Sequence, residues 1–431
     1  MRAAFYECDI TPPLGGLMWG HYEEVRGYDV HDKLYAKAVV VEDQGEVAAI
    51  VVVDTCVLPE GIHEVVTKRI QEFTGIAPER VCITSNHTHS GAPVSSDPAI
   101  GCFADETYKD VFFRLCADAV TLAYKRLDTV EAKFGCTEVT GIAFNRDFLL
   151  TDGTIVTHGR GRTNIERSFG ETDPALPVLM FYQDGKPIGP IINYACHQCC
   201  LGALYKDNPG YSGDYASALS AKLKEHYGND FVSLFVLGTC GDINHVNPDP
   251  NVQIPPYWYR KMGEILAEGV IRAMENAQPV PGGVGVIAEI VEIQRRPSDG
   301  ETVMNLLKKR VEIDNTRFLK IRNMVYYNAA NKKESTALMV QGIRIGDVLI
   351  SALPGEVFVA IGKGIKAGSP FQRNMVVENS NTYCGYIPTE EAFCENSDLY
   401  EITLCMHSCH VPEAGTILKN KALEIAKKLA D

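Results

Sequence analysis

Three widely separated stretches of the chain repeat one pattern, and that pattern limits the folds open to it: AKAVVVEDQGEVAAIVVVD (36–54), PVLMFYQDGKPIGPIINYACH (177–197) and TALMVQGIRIGDVLISALPGE (336–356). Each is a run of β-branched and large apolar residues, a short turn with glycine, and a second such run, which is how a β-hairpin reads in sequence. Each second run leads into a residue with chemistry to offer: Asp54, His197 and Glu356. A strand end in a packed sheet holds such a side chain with little positional error. Helical spacing of apolar residues recurs near 61–74, 105–126, 212–227, 256–276 and 415–430. Hairpins interleaved with helices predict an α/β fold of mixed β-sheets layered with helices, not the steady strand–helix alternation of a TIM barrel.

At 431 residues the chain exceeds the usual domain size, but no Ser/Gly linker or low-complexity segment divides it, so a single catalytic unit over 1–431 is expected. The longest apolar run, VAAIVVV, is far too short to cross a bilayer, and MRAAFYECDITPP has neither the apolar core nor the cleavage site of a secretion signal. A cytoplasmic location is the expectation. Fourteen cysteines spread over such a chain, mostly in or beside apolar runs, read as reduced packing residues. The net charge of −14 argues against nucleic acid and anionic membranes as partners. A small-molecule ligand is expected; association into a homo-oligomer is left open.

SNHTHSG (85–91) follows a short apolar strand, VCIT, and carries His87 and His89 one residue apart. On a regular strand both rings would point the same way and share a pocket. Taken alone, the pair reads equally well as metal ligands or as hydrogen-bonded structural histidines. His197 at the end of NYACH and Glu356 in ALPGEVF, where a strand turns into a helix, enlarge the set. Two histidines, a glutamate and an open position are a donor set that zinc uses in catalytic sites, although manganese and iron accept the same donors.

ITSNHTHSG, NYACH, LGTCGDIN, ALPGE and NTYCGY occur in the order, and with roughly the separations, of the corresponding segments in neutral/alkaline ceramidases, and CDITPPLG and VVVDT resemble that family's N-terminal segments. The resemblance covers most of the chain. It implies the ceramidase catalytic-domain fold and a Zn2+ ion held by His87, His197, Glu356 and Tyr386, with His89 as a nearby acid/base group. It further implies that Arg146, in FNRD, holds the substrate carbonyl oxygen, and that Tyr400 does similar work.

The sequence departs from the family in two respects. Where the ceramidases carry a serine, a nucleophile or substrate-binding hydroxyl, this chain has Asn244, and an amide cannot serve as that nucleophile. The sequence also ends soon after the resembling region, so no C-terminal immunoglobulin-like domain is expected. The chemistry that survives is attack by water activated at zinc, with His89 moving the proton, Arg146 stabilising the developing oxyanion, and Asp242 and Asn244 binding polar groups of the substrate. The expected activity is hydrolysis of an amide, with an ester as the lesser alternative, in a small polar metabolite and not in ceramide. A metal-dependent lyase or isomerase acting on a sugar or hydroxy acid, and a metal-containing binding protein without catalysis, are the rival readings.

Other motifs have two readings each. CMHSCH (405–410) is a loop with buried thiols or a second zinc site; Cys196, Cys199 and Cys200 around His197 are packing or pocket wall. THGRGRTNIERS (157–168), with Arg160, Arg162 and Arg167, is a solvated loop or a rim for carboxylate or phosphate. CDITPPLG is a strand and turn with His21 exposed beyond it, or a loop bordering the pocket.

Overall fold

A computed structural model describes residues 1–21, 24–98, 101–201, 209–297, 315–330 and 333–431. Its three hairpins sit inside three larger units of the same topology. The first unit runs β1 (Arg2–Asp9), β2 (Tyr35–Asp43), β3 (Glu46–Val53), α1 (Ile62–Thr74), β4 (Val81–Ser85) and α2 (Glu106–Tyr124). The second runs β5 (Glu131–Glu138), β6 (Ala175–Gln183), β7 (Lys186–Tyr194), α3 (Asp214–Tyr227), β8 (Leu234–Leu237) and α4 (Trp258–Glu275). The third runs β9 (Val284–Gln294), β10 (Ser335–Ile345), β11 (Val348–Ala352), α6 (Val359–Gly368), β12 (Arg373–Val377) and α7 (Ala414–Ala430), with α5 (Asn315–Ala330) between its first two strands. In every unit the spatial order is fourth, third, second, first strand. The fourth strand runs parallel to the third and the other pairs are antiparallel.

The hairpin turns follow from their residues. Two-residue loops close the pairs Asp43–Glu46, Gln183–Lys186 and Ile345–Val348. In the first two, both loop residues have positive φ: Gln44 and Gly45 (53° and 87°), Asp184 and Gly185 (49° and 75°). The third turns at Gly346, φ 60°. Such primed turns match the twist of the flanking strands, which is why a glycine interrupts each β-branched run where it does.

Side-chain alternation then builds the core. One face of each sheet meets the other two in a shared cluster: Val39 and Ile50 from the first, Phe181 and Val236 from the second, Ile343 and Met375 from the third. The opposite faces receive the helices, as where Val40 and Val51 meet Ile62 and Phe112, Met180 and Ile192 meet Leu219 and Leu266, or Val340 and Leu349 meet Ile365 and Leu418. Strands buried on both faces explain why the VVV and VLI runs are continuously apolar. Each such aliphatic side chain contributes about 1.5–3 kcal/mol by leaving water.

The structure is thus the mixed, hairpin-built α/β fold expected, and all five helices read from periodicity are present. Helices α5 and α6 fall outside those five segments, α6 being the helix expected after ALPGEVF. All fourteen cysteines are free thiols and most are buried. Among the described residues, no helix is long and apolar enough to cross a membrane.

Candidate active site

The last paired residues of the parallel strands, Val53 with Ser85, Tyr194 with Leu237, and Ala352 with Val377, bring six strand ends to one side of the molecule. The chemistry-bearing residues lie just beyond them. His87 follows β4 with φ 64°, a left-handed conformation that is rare for a residue with a Cβ. The turn is pinned from below, because Asn86 Nδ2 donates to Asp54 Oδ1 (2.6 Å) and Asp54 Oδ2 accepts from the Tyr35 amide (2.7 Å). Asp54, the residue after the first hairpin, therefore shapes the His87 loop; burial raises its pKa to about 6.

His197 follows β7 and Glu356 follows β11. The His87 Nδ1–H donates to the carbonyl of Cys56 (2.7 Å), and His197 Nδ1–H to that of Cys240 (2.8 Å). A proton fixed on Nδ1 leaves a lone pair on Nε2. Both Nε2 atoms point at the same carboxylate oxygen: Glu356 Oε2 lies 3.3 Å from His87 and 3.0 Å from His197. Three electron-rich atoms converge this closely only around a cation. Donors about 2.1 Å from a tetrahedral ion stand about 3.4 Å apart, so the spacing fits a zinc-type site. Among the described residues, His87, His197 and Glu356 all place donor atoms within 4.8 Å of one another.

The electrostatics agree. Burial opposes charge on Glu356, yet His87 and His197 hold its carboxyl well below the usual carboxylate range. Burial likewise opposes protonation of His87, but Cys56 and Glu356 push its pKa well up, so this position favours positive charge. Burial and the Arg146 charge press His197 down to about 4.

His89 stands beside this group. Its Nδ1 hydrogen-bonds the Gly20 carbonyl (3.1 Å), and its Nε2 lies 3.4 Å from His87 Nε2; His89 is outside the His87, His197 and Glu356 group but forms a second group of mutually close potential donors with Cys56 and His87. Burial, reinforced by His87 and His197, holds its pKa well below the usual value, so the ring is neutral. Gly20, φ 93°, permits the contact: a Cβ there would lie 2.4 Å from the His89 ring.

Tyr386 pairs in register with Glu356 in a short parallel bridge. Its ring lies 5.5 Å from the Arg146 guanidinium and 5.7 Å from the Tyr400 ring. Burial, then the nearby Glu356, raises its hydroxyl pKa well above the ordinary value. Arg146 is buried, ion-paired with the fully buried Glu401 (2.6 Å) and donating to the Gly241 carbonyl (2.6 Å). Gly241 has no room for a side chain, since a Cβ would lie 2.6 Å from the Glu356 carbonyl oxygen.

These groups surround one cavity of about 360 Å³. Of the residues singled out from sequence, it brings together His87, His89, His197, Glu356, Tyr386, Arg146, Tyr400 and Asn244. Asp242 is not in its lining. The Asp242 carboxylate instead accepts from Asn145 Nδ2 (2.8 Å) and from the amide of Val359 at the start of α6 (2.8 Å), and burial raises its pKa to about 6. Sequence reasoning missed Trp19, His158, His245, Tyr383 and His407, all of which line the cavity. His245 follows Asn244 directly and contacts Cys199 Sγ (3.7 Å); burial lowers its pKa to about 4.

The open motifs resolve. In CMHSCH, Cys405 and Cys409 are buried, and among the described residues no metal-ligand group forms there, whereas His407 belongs to the cavity wall. Cys199 lines the cavity, while Cys196 and Cys200 are core residues. Arg160 donates to the carbonyls of Asn247 (3.2 Å) and Val252 (2.8 Å), stapling two loops together. CDITPPLG is a strand and turn, and Trp19, Gly20 and His21 beyond it border the cavity.

Comparisons with known proteins converge with this geometry. The profile of the neutral/alkaline non-lysosomal ceramidase N-terminal domain matches residues 6–254. Among solved structures, neutral ceramidase from Pseudomonas aeruginosa is similar to 99% of the chain at 18% identity, with a TM-score of 0.75 over 74% of its own length. A ceramidase complexed with C2 is similar over the whole chain and 75% of its own, at 18% identity and TM-score 0.76. No curated protein matches the sequence.

Proposed function

The chain belongs to the neutral/alkaline non-lysosomal ceramidase family, and on that premise we propose that it is a zinc-dependent hydrolase of an amide bond in a small polar metabolite. The observation that carries the reading is the convergence of His87 Nε2, His197 Nε2 and Glu356 Oε2 within 4.8 Å, each histidine locked by a carbonyl in the tautomer that frees Nε2. Tyr386, in register beside Glu356, would complete the donor set. When bound, the ion supplies Lewis acidity and makes water acidic enough to attack near neutral pH.

This chain's residues do the rest. His89, kept neutral by burial and with its Nε2 facing His87 across the donor set, takes the proton released as water adds to the carbonyl and returns it to the departing nitrogen. Arg146, fixed by Glu401 and the Gly241 carbonyl, presents its charge at the cavity wall, where the carbonyl oxygen becomes negative. Tyr400 lies against Tyr386 on the same wall and offers a second donor. Asn244 offers an amide for hydrogen bonding and no nucleophile, which supports attack by water itself.

The polar part of the substrate would meet the imidazole, phenol and amide groups of the cavity wall, and its apolar part Trp19, Val57, Val246 and Met324. The test is release of amine from a panel of short N-acyl compounds before and after chelation, with product analysis. Chelator-sensitive amine release supports the proposal; turnover of sugar acids without hydrolysis products would move the function to a lyase or isomerase.

A further inference from the structure

Glu356 offers two oxygens, and the protein treats them differently. Oε2 faces the His87 and His197 Nε2 atoms at 3.3 and 3.0 Å. Oε1 accepts from the Tyr383 hydroxyl at 2.8 Å. A carboxylate only accepts, so the Tyr383 proton is committed to Oε1 and its oxygen is left to accept in turn. The partner is His407, whose Nδ1 lies 3.0 Å away. The other ring nitrogen, Nε2, reaches Asp97 Oδ2 at 3.1 Å. Asp97 is fully buried, on a loop closed by reciprocal backbone bonds with Cys102 (2.7 and 3.0 Å).

We infer that Tyr383, His407 and Asp97 form a positioning chain that fixes the Glu356 carboxylate and leaves one of its oxygens, Oε2, for the metal. The inference rests on reading His87, His197 and Glu356 as metal donors. A glutamate in an open cavity would sample several rotamers, and each rotamer lost on binding would weaken the site. A hydroxyl held on Oε1 removes that freedom before any ion arrives, and hydrogen-bonded partners of this kind set ligand orientation in metal sites. The chain also steadies the next tyrosine, because the His407 carbonyl accepts from the Tyr386 amide (2.8 Å). Gly385 allows that approach: a Cβ there would lie 2.4 Å from the His407 carbonyl oxygen. The four residues come from four separate segments, so no local motif announces them.

The test is zinc affinity of the metal-stripped full chain, titrated against a competing chelator, with the absorption spectrum of the cobalt-loaded protein as a second readout of coordination. Tyr383→Phe keeps the ring and removes only the hydroxyl; it should weaken zinc binding about 10- to 100-fold and alter the cobalt spectrum. Asp97→Asn should weaken binding alone, yet add nothing in the Tyr383→Phe background, because Asp97 acts through the hydroxyl already lost. A purely structural role for Asp97 would instead add. Unchanged affinity in Tyr383→Phe, or additive losses in the double variant, would overturn the inference. If wild type binds zinc, His197→Ala does not, and Tyr383→Phe binds as wild type, only the positioning chain is wrong. A wild-type chain that takes up no zinc overturns the metal reading and this inference together.

Discussion

Replacing His89 separates the two roles available to an imidazole at this site. Its Nδ1 is committed to the Gly20 carbonyl at 3.1 Å, so Nε2 carries the lone pair, and that atom stands 3.4 Å from His87 Nε2, outside the His87, His197 and Glu356 group although His89 forms a second close group with Cys56 and His87. In His89→Ala the donors His87, His197 and Glu356 keep their own anchors, the carbonyls of Cys56 and Cys240 and the Tyr383 hydroxyl, none of which touches His89. Metal content should therefore stay at the wild-type level. Loss of a general acid or base costs about 10²- to 10⁴-fold in turnover. At about 1.4 kcal/mol per decade, the barrier should rise by about 3–5.5 kcal/mol. The assay is kcat on the most active N-acyl substrate, with zinc measured on the same preparation. Loss of zinc in parallel with activity would make His89 a donor, and unchanged kcat would make it a bystander; either result refutes its role as the proton carrier.

Two further outcomes follow from the cavity wall. Glu401→Gln leaves the buried Arg146 charge without its counter-ion while preserving size and the acceptor for Thr157 Oγ1, so unfolding stability should fall by about 3–5 kcal/mol in urea titrations; a loss under about 1 kcal/mol would mean the pair is screened. Long-chain N-acylsphingosine in detergent should be turned over at background rate because Asn244 puts an amide where the ceramidases offer that substrate a hydroxyl, and product formation at a rate typical of ceramidases would show that a serine is dispensable there.

What could be read from the sequence was what the chain encodes locally. Continuous β-branched runs broken by Gly45, Gly185 and Gly346 announced the hairpins, since the turns demand positive φ at those points. Strand ends announced His197 and Glu356 for the same reason. The threefold recurrence was legible only in its hairpins: β1, β5 and β9 lie far from them in sequence, and their pairing is a long-range event. Tyr383, His407, His245 and Trp19 escaped because each reaches the cavity through tertiary packing, with no spacing that distinguishes it from a core aromatic or a structural imidazole. Asp242 shows the converse. Its motif looked like substrate recognition, but its carboxylate is spent on the Val359 amide and Asn145, a use that depends on where α6 begins.

Zinc stoichiometry of the purified chain, in wild type, His87→Ala and His197→Ala, tests the central claim most directly. Three motifs far apart in sequence bring His87, His197 and Glu356 together at one donor set, so wild type should hold about one ion per chain and each variant should fall far below that, with folding confirmed by circular dichroism. Folded His87→Ala and His197→Ala proteins that both retain full zinc would contradict the account, because the ion would then be bound somewhere other than between His87, His197 and Glu356.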